Sequence, residues 1–206
     1  MKRILIVGAG GQIGSELTTY LRKIYGNDNV VATDVRECKL LAESALDANA
    51  MAEMVARQKS DAIFNLVALL SAVGEAKPQT AWQVNIGALM NSLEVARQYN
   101  CALFTPSSIG AFGPSSPKDK TPQDTVMRPT TMYGVCKVTG EMLGDYYHSR
   151  FGVDTRSVRF PGLISNVTLP GGGTTDYAVE IYYEAIRSGR FTCPVPGDVF
   201  MDMMYM

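Results

Sequence analysis

Tyr133 and Lys137 stand four residues apart in a stretch whose pattern predicts a helix over 131–150, so a phenol and an ammonium share one face. A phenol with an ordinary pKa of about 10 is a poor base. A cation one helical turn away, helped by any second positive charge nearby, stabilises the phenolate and lowers that pKa. The pair can then take a proton from an alcohol while a hydride leaves the same carbon. Alone, the spacing fits two unrelated surface residues equally well, so its setting decides. Ser108, 25 residues before Tyr133, follows Cys101-Ala-Leu-Phe104, a short buried-strand pattern. A hydroxyl at that strand's carboxyl end can hold a substrate oxygen near the phenol. Ser107 or Ser108 could equally cap the following loop.

The amino terminus supplies a partner for this chemistry. Arg3-Ile-Leu-Ile-Val-Gly8 is an apolar, β-branched run suited to a strand buried on both faces, and it enters Gly8-Ala-Gly-Gly11-Gln-Ile-Gly14 and then a helical pattern. Strand, glycine turn and helix is the context of a dinucleotide fingerprint, here spaced G-x-x-G-x-x-G. Gly8 would allow the tight turn, Gly11 would let backbone approach a pyrophosphate, and Gly14 would let helix and strand pack closely. The amino-terminal N–H groups of that helix, around Gln12 and Ile13, suit phosphate. Asp34 ends the next strand pattern, Val30-Val-Ala-Thr-Asp34, 20 residues after Gly14. A carboxylate there accepts from a ribose 2′-hydroxyl and repels a 2′-phosphate, which favours NAD over NADP. Arg36 pulls slightly the other way.

The elements that must position these residues alternate. Strands are predicted near 3–8, 30–34, 61–67, 101–106 and 155–160, and helices near 12–25, 48–59, 80–100, 131–150 and 176–188. That order predicts an α/β fold built on a doubly wound parallel sheet. The 206 residues suit one compact unit, and 46% hydrophobic content supplies a core. Residues 113–129, rich in Pro, Ser and Lys, form an expected mobile loop. Leu169-Pro-Gly-Gly-Gly-Thr-Thr175 is either a ligand-wrapping lid or a plain connector. Leu89, Leu93 and Ala96 make one helical stripe; Met142, Leu143, Tyr146 and Tyr147 make another.

Nineteen basic and twenty acidic side chains give a net charge of −1, so nucleic acid and anionic membranes are not expected partners. The apolar stretches are too short to span a bilayer, and the first strand starts where a signal peptide would lie. Cys38, Cys101, Cys136 and Cys193 are scattered and read as reduced thiols. With His148, a helix-surface position, they form no ligand cluster, so no metal is expected.

Taken together, Gly8 to Gly14, Asp34, Ser108, Tyr133 and Lys137 resemble the extended short-chain dehydrogenase/reductase superfamily. Four further segments narrow the likeness: Ala68-Leu-Leu-Ser-Ala-Val-Gly-Glu75, Pro106-Ser-Ser-Ile-Gly-Ala-Phe-Gly-Pro114, Arg159-Phe-Pro-Gly-Leu-Ile-Ser165 and Pro170-Gly-Gly-Gly-Thr-Thr-Asp-Tyr-Ala-Val-Glu180. In these the chain resembles the NAD-dependent L-threonine 3-dehydrogenases of epimerase type. The resemblance implies oxidation of the L-threonine β-hydroxyl to 2-amino-3-oxobutanoate, the first step of threonine catabolism towards glycine. It makes Tyr133 the base, Lys137 its cation and ribose ligand, and Ser108 the residue orienting the hydroxyl. It puts Leu46 and Asp47 beside adenine, and Ala68, Leu69, Phe160 and Leu163 along the cofactor. Ser71, Thr174 and Thr175 would meet the amino acid.

The resemblance also implies a homodimer, and a cytoplasmic location, or the mitochondrial matrix for a processed eukaryotic form. Residues 1–165 would be the NAD-binding Rossmann domain and 166–206 the start of a substrate lobe. The family continues for roughly another hundred residues, a sizeable share of a domain. It also has a longer loop where this chain has Cys38-Lys-Leu-Leu-Ala-Glu-Ser-Ala-Leu46. A nucleotide-sugar epimerase or dehydratase on the same scaffold, and an inactive NAD-binding fragment, stand as alternatives.

Overall fold

In a computed structural model of the chain, residues 3–34, 45–169 and 171–206 are described. Five parallel strands form the main sheet: β1 (Ile4–Val7), β2 (Val30–Thr33), β3 (Ala62–Asn65), β4 (Ala102–Phe104) and β6 (Thr155–Arg156), in the order β2-β1-β3-β4-β6. Register is continuous through the middle: Leu5 lies opposite Val31 on one side and Ile63 on the other.

The sheet is covered on both faces, which is why β1 has no polar residue. Alternate side chains of one strand enter two cores. Leu5 and Val7, with Ile63 and Leu103, pack against α2 (Ala48–Gln58), α4 (Pro78–Tyr99) and α5 (Met132–Phe151). Ile4 and Ile6, with Val30 and Ala62, pack under α1 (Gln12–Tyr25) through Leu17 and Leu21. Along α4, the predicted stripe of Leu89, Leu93 and Ala96 lies in the core. The α5 stripe divides: Tyr147 is buried, whereas Met142 and Tyr146 are exposed.

One expectation needs correction, and two features were not anticipated. The strand predicted over 155–160 is two: β6 stays in the main sheet, and β7 (Arg159–Phe160) pairs with β5 (Ser107–Ser108) in a separate ribbon. The break falls beside Pro106, which has no N–H for the ladder. Helix α3 (Ser71–Ala76), six residues long, is too short for periodicity to reveal. Strands β8 (Gly162–Ile164) and β9 (Met203–Tyr205) form a further parallel pair from distant segments. The last helix is α6 (Tyr177–Ser188). The 113–129 loop is pinned at its base, where Ser116 Oγ donates to the Val126 carbonyl and accepts from the Gly113 N–H.

From β1 the chain goes to β2 on one side, and later to β3 on the other. The sheet order reverses there, opening a crevice at the carboxyl ends of β1 and β3.

Candidate active site

A cavity of about 640 Å³ occupies this crevice. Its inner wall is the glycine turn. Gly8 has φ of +88°, a conformation that suits glycine. Gly14 is where α1 meets the strand: a Cβ there would lie 2.4 Å from the Gly8 carbonyl oxygen and 2.6 Å from Ala9 Cα. At Gly11 the nearest atom to such a Cβ is 3.5 Å away. No side chain caps α1, and Gln12, Ile13 and Gly14 line the cavity, so the helix amino terminus opens onto it. Backbone donors, positive helix end and close backbone approach together fit a pyrophosphate.

The second wall carries the candidate catalytic residues. Thr131 caps α5 by accepting from the Gly134 N–H, and Glu75 at the end of α3 accepts from the Met132 N–H at 2.7 Å. Tyr133 is thus fixed in the first turn of α5. Its ring and Ser108 Oγ both border Gly110, where an added Cβ would lie 3.4 Å from each, and Ser108 Oγ accepts from the Gly110 N–H. Both readings of Ser108, substrate partner and turn cap, are thereby compatible. Ser107 turns away and donates to Glu141. Lys137 Nζ donates to the Pro106 carbonyl at 2.7 Å and lies 5.2 Å from the Tyr133 ring centre.

Burial raises the Tyr133 phenol above its ordinary range, and the Ser108 hydrogen bond opposes the rise. The depression expected from Lys137 does not appear here: burial sets the direction, and Ser108 alone opposes it. Burial also pushes Lys137 down, to about 8.

That shift has a sign that can be checked. Between pH 8 and 10.5 the unfolded chain holds more protons on this lysine than the folded one, so stability rises with pH across the window. Lys137→Met, which also loses the Pro106 hydrogen bond, is expected to be about 2 kcal/mol more stable than the parent at pH 7. That advantage should fade by pH 10.5; urea unfolding at both pH values measures it.

The outer wall holds Ser71, Thr174 and Thr175. The glycine segment before the two threonines is clamped by Asp176, which is buried and accepts from the Gly172 N–H at 2.8 Å and the Gly173 N–H at 2.7 Å. Ala68, Leu69, Phe160 and Leu163 complete the lining.

Not every predicted residue joins the wall. Asp34 accepts from the Gly10 N–H at 2.8 Å, outside the lining. Asp47 caps α2, accepting from Asn49 and Ala50, and Leu46 beside it is exposed. Arg36 and Cys38 lie outside the described residues. Cys101 and Cys136 are buried free thiols and Cys193 an exposed one. Among the described residues no group of His, Cys, Asp or Glu is arranged to hold a metal, and no helix is long and apolar enough to cross a membrane.

Sequence reasoning missed Gly134, Gln12 as a side-chain donor, and Asp176. A Cβ on Gly134 would sit 2.3 Å from the Gly110 carbonyl, so the α5 turn bearing Tyr133 packs directly on the turn after Ser108. Its position next to Tyr133 was the only signal. Gln12 Nε2 donates to the Leu163 carbonyl, a link over 151 residues that no local pattern reveals. Asp176 was legible as a helix-initiating aspartate after a glycine run.

Residues 4–205 match the NAD dependent epimerase/dehydratase family. An uncharacterized epimerase/dehydratase of Staphylococcus haemolyticus is 57% identical over the whole chain and 68% of its own length. The structure is similar to that of an L-threonine dehydrogenase from Clostridium difficile (TM-score 0.93, 56% identity, 100% of this chain and 67% of that one). It is also similar to a GalE-like L-threonine dehydrogenase from Cupriavidus necator in its holo form (TM-score 0.93, 48% identity, 98% and 68%). The chain thus spans about two thirds of the length of each relative. With a glycine turn open to a pyrophosphate, and a matched segment running almost end to end, this chain belongs to the NAD-dependent epimerase/dehydratase family, and its cofactor is NAD.

Proposed function

We propose that the chain oxidises the β-hydroxyl of L-threonine to 2-amino-3-oxobutanoate. The observation that carries this reading is one cavity shared by the glycine turn, the Ser108–Tyr133–Lys137 cluster and the two threonines at 174 and 175. Similarity to L-threonine dehydrogenases at 56% and 48% identity supports the choice of substrate.

Tyr133 Oη takes the hydroxyl proton. Ser108 Oγ, next to that phenol and accepting from the Gly110 N–H, turns its one hydroxyl proton to the substrate oxygen and fixes its approach. Lys137, one turn on, supplies the positive charge a phenolate needs and binds the nicotinamide ribose. NAD, when bound, supplies a hydride acceptor for the carbinol carbon. Gly8, Gly11, Gln12, Ile13 and Gly14 hold the pyrophosphate. Asp34 holds the adenosine ribose, with Arg36 next to it in sequence, and Leu46 and Asp47 flank adenine. Ala68, Leu69, Phe160 and Leu163 shield the cofactor from water. Ser71, Thr174 and Thr175 bind the ammonium and carboxylate of the amino acid. Residues 1–165 serve NAD binding and 166–206 serve the substrate side. Association into a homodimer uses the face of α5 that exposes Met142 and Tyr146; a single-chain molar mass in solution would remove that part.

The test is NADH absorbance against a panel of amino acids and nucleotide sugars. A rise with L-threonine alone, absent with the sugars, is expected. Conversion of a UDP- or dTDP-sugar, followed by product analysis because such reactions return the hydride and leave no net NADH, with threonine inert, would replace the reading with a sugar epimerase or dehydratase. NAD binding with no turnover of any alcohol would leave a binding module.

A further inference from the structure

Tyr133, Lys137 and Glu141 recur every fourth residue of α5 and therefore share one stripe of the helix. The first two face the main cavity. The third lies behind it, next to a second space of about 30 Å³ that Lys137 and Ser107 also line. Glu141 is gripped there by Arg159, whose Nε and Nη2 reach the two carboxylate oxygens at 2.9 and 2.7 Å. Both side chains are only 15% exposed, and Ser107 Oγ adds a third donor to the same carboxylate. The guanidinium lies 5.1 Å from the ring centre of Phe112, and its Nη1 donates to the Gln123 carbonyl at 2.8 Å.

These contacts converge on the ribbon. In the β5–β7 pair, Ser107 is opposite Arg159, and Ser108 is opposite Phe160. The charged pair thus clamps the first rung of the ribbon onto α5, while the next rung presents Ser108 and Phe160 to the cavity. A bidentate arginine–carboxylate pair has a fixed geometry that a single contact lacks.

We propose that Glu141 and Arg159 are positioning residues: their ion pair sets the distance between α5 and the β5–β7 ribbon, and thereby the contact between Tyr133 and Ser108. This rests on the dehydrogenase reading for its kinetic consequence, though not for the contact itself. Neither residue touches the reacting atoms. Releasing the clamp lets the ribbon shift, and a shift of about 1 Å at a reacting geometry can cost about 100-fold in rate.

The experiment uses Glu141→Gln, Arg159→Lys and the double variant Glu141→Gln/Arg159→Gln, which leaves no uncompensated buried charge. Expected is a fall in kcat of about 10- to 100-fold with the KM for NAD changed less than about threefold. A second readout separates positioning from general weakening. Because Ser108, next to the Tyr133 ring over Gly110, holds the phenol down against burial, loosening that contact moves the acidic limb of the pH–kcat/KM profile upward. The phenol is also followed without turnover, as the ultraviolet tyrosinate titration present in each protein and missing from its Tyr133→Phe counterpart. That titration moves to higher pH in the variants.

If the parent does not oxidise L-threonine, the dehydrogenase reading fails while the titration still decides the positioning. Folded variants with parental kcat and an unmoved titration overturn the proposal. Should a single variant not fold, the double variant carries the same two outcomes.

Discussion

Replacing Tyr133 by phenylalanine lowers kcat with L-threonine by about a thousandfold, within the range of a lost general base, and leaves NAD affinity within a fewfold of the parent. The substitution deletes one oxygen from a residue lodged in the first turn of α5, where the Thr131 cap and the Glu75 contact hold the backbone whether or not the phenol is present. The Phe ring keeps its contacts, so the fold is retained. What disappears is the phenol oxygen on the Ser108 side, carried by a ring whose centre lies 5.2 Å from Lys137 Nζ. Steady-state kinetics and calorimetric NAD titration on the same preparation measure the two halves. Parental turnover would remove Tyr133 as the base, whereas loss of both activities would mean the residue holds the cofactor site together.

Gly14→Ala is the second large effect. Its Cβ meets the Gly8 carbonyl oxygen at 2.4 Å and Ala9 Cα at 2.6 Å, all backbone, so the start of α1 must swing away from β1. Overpacking of this kind costs about 3 kcal/mol. It also displaces the amino-terminal N–H groups that would hold the pyrophosphate, so NAD binding should become undetectable. Gly11→Ala is the matched control. Its new methyl meets the Gly8 carbonyl at 3.5 Å, an ordinary contact, so parental stability is expected. Because Gly11 lines the cavity, NAD affinity should nevertheless fall. Thermal unfolding and NAD titration of both variants separate packing from binding; equal stability loss at the two positions would refute the distinction.

Among the described residues, local chemistry made the five strands of the main sheet and five of the six α-helices legible. The Ile4–Val7 run could only be a strand buried on both faces, and the glycine turn after it could be placed to the residue. Long-range geometry hid the rest. The β5–β7 and β8–β9 pairs are short and join residues 40 or more apart, so neither has a periodicity of its own. The spacing of Tyr133 and Lys137 indicated a common face. It did not reveal that the Pro106 carbonyl holds the lysine, or that burial raises the phenol. Asp47 carries two readings. Resemblance assigns it to the adenine side, and in the structure its carboxylate also caps α2, a second role that its place before a helical pattern already permitted.

The central claim is that hydrogen leaves the β-carbon of L-threonine as hydride while Tyr133 takes the hydroxyl proton. Incubating the protein with NAD and L-threonine deuterated at that carbon, and weighing the reduced cofactor by mass spectrometry, tests it most directly. NADH carrying the deuterium is the predicted result, with none formed by Tyr133→Phe on the same timescale. Reduced cofactor without the label, or no reduced cofactor from a protein that binds NAD, would contradict it.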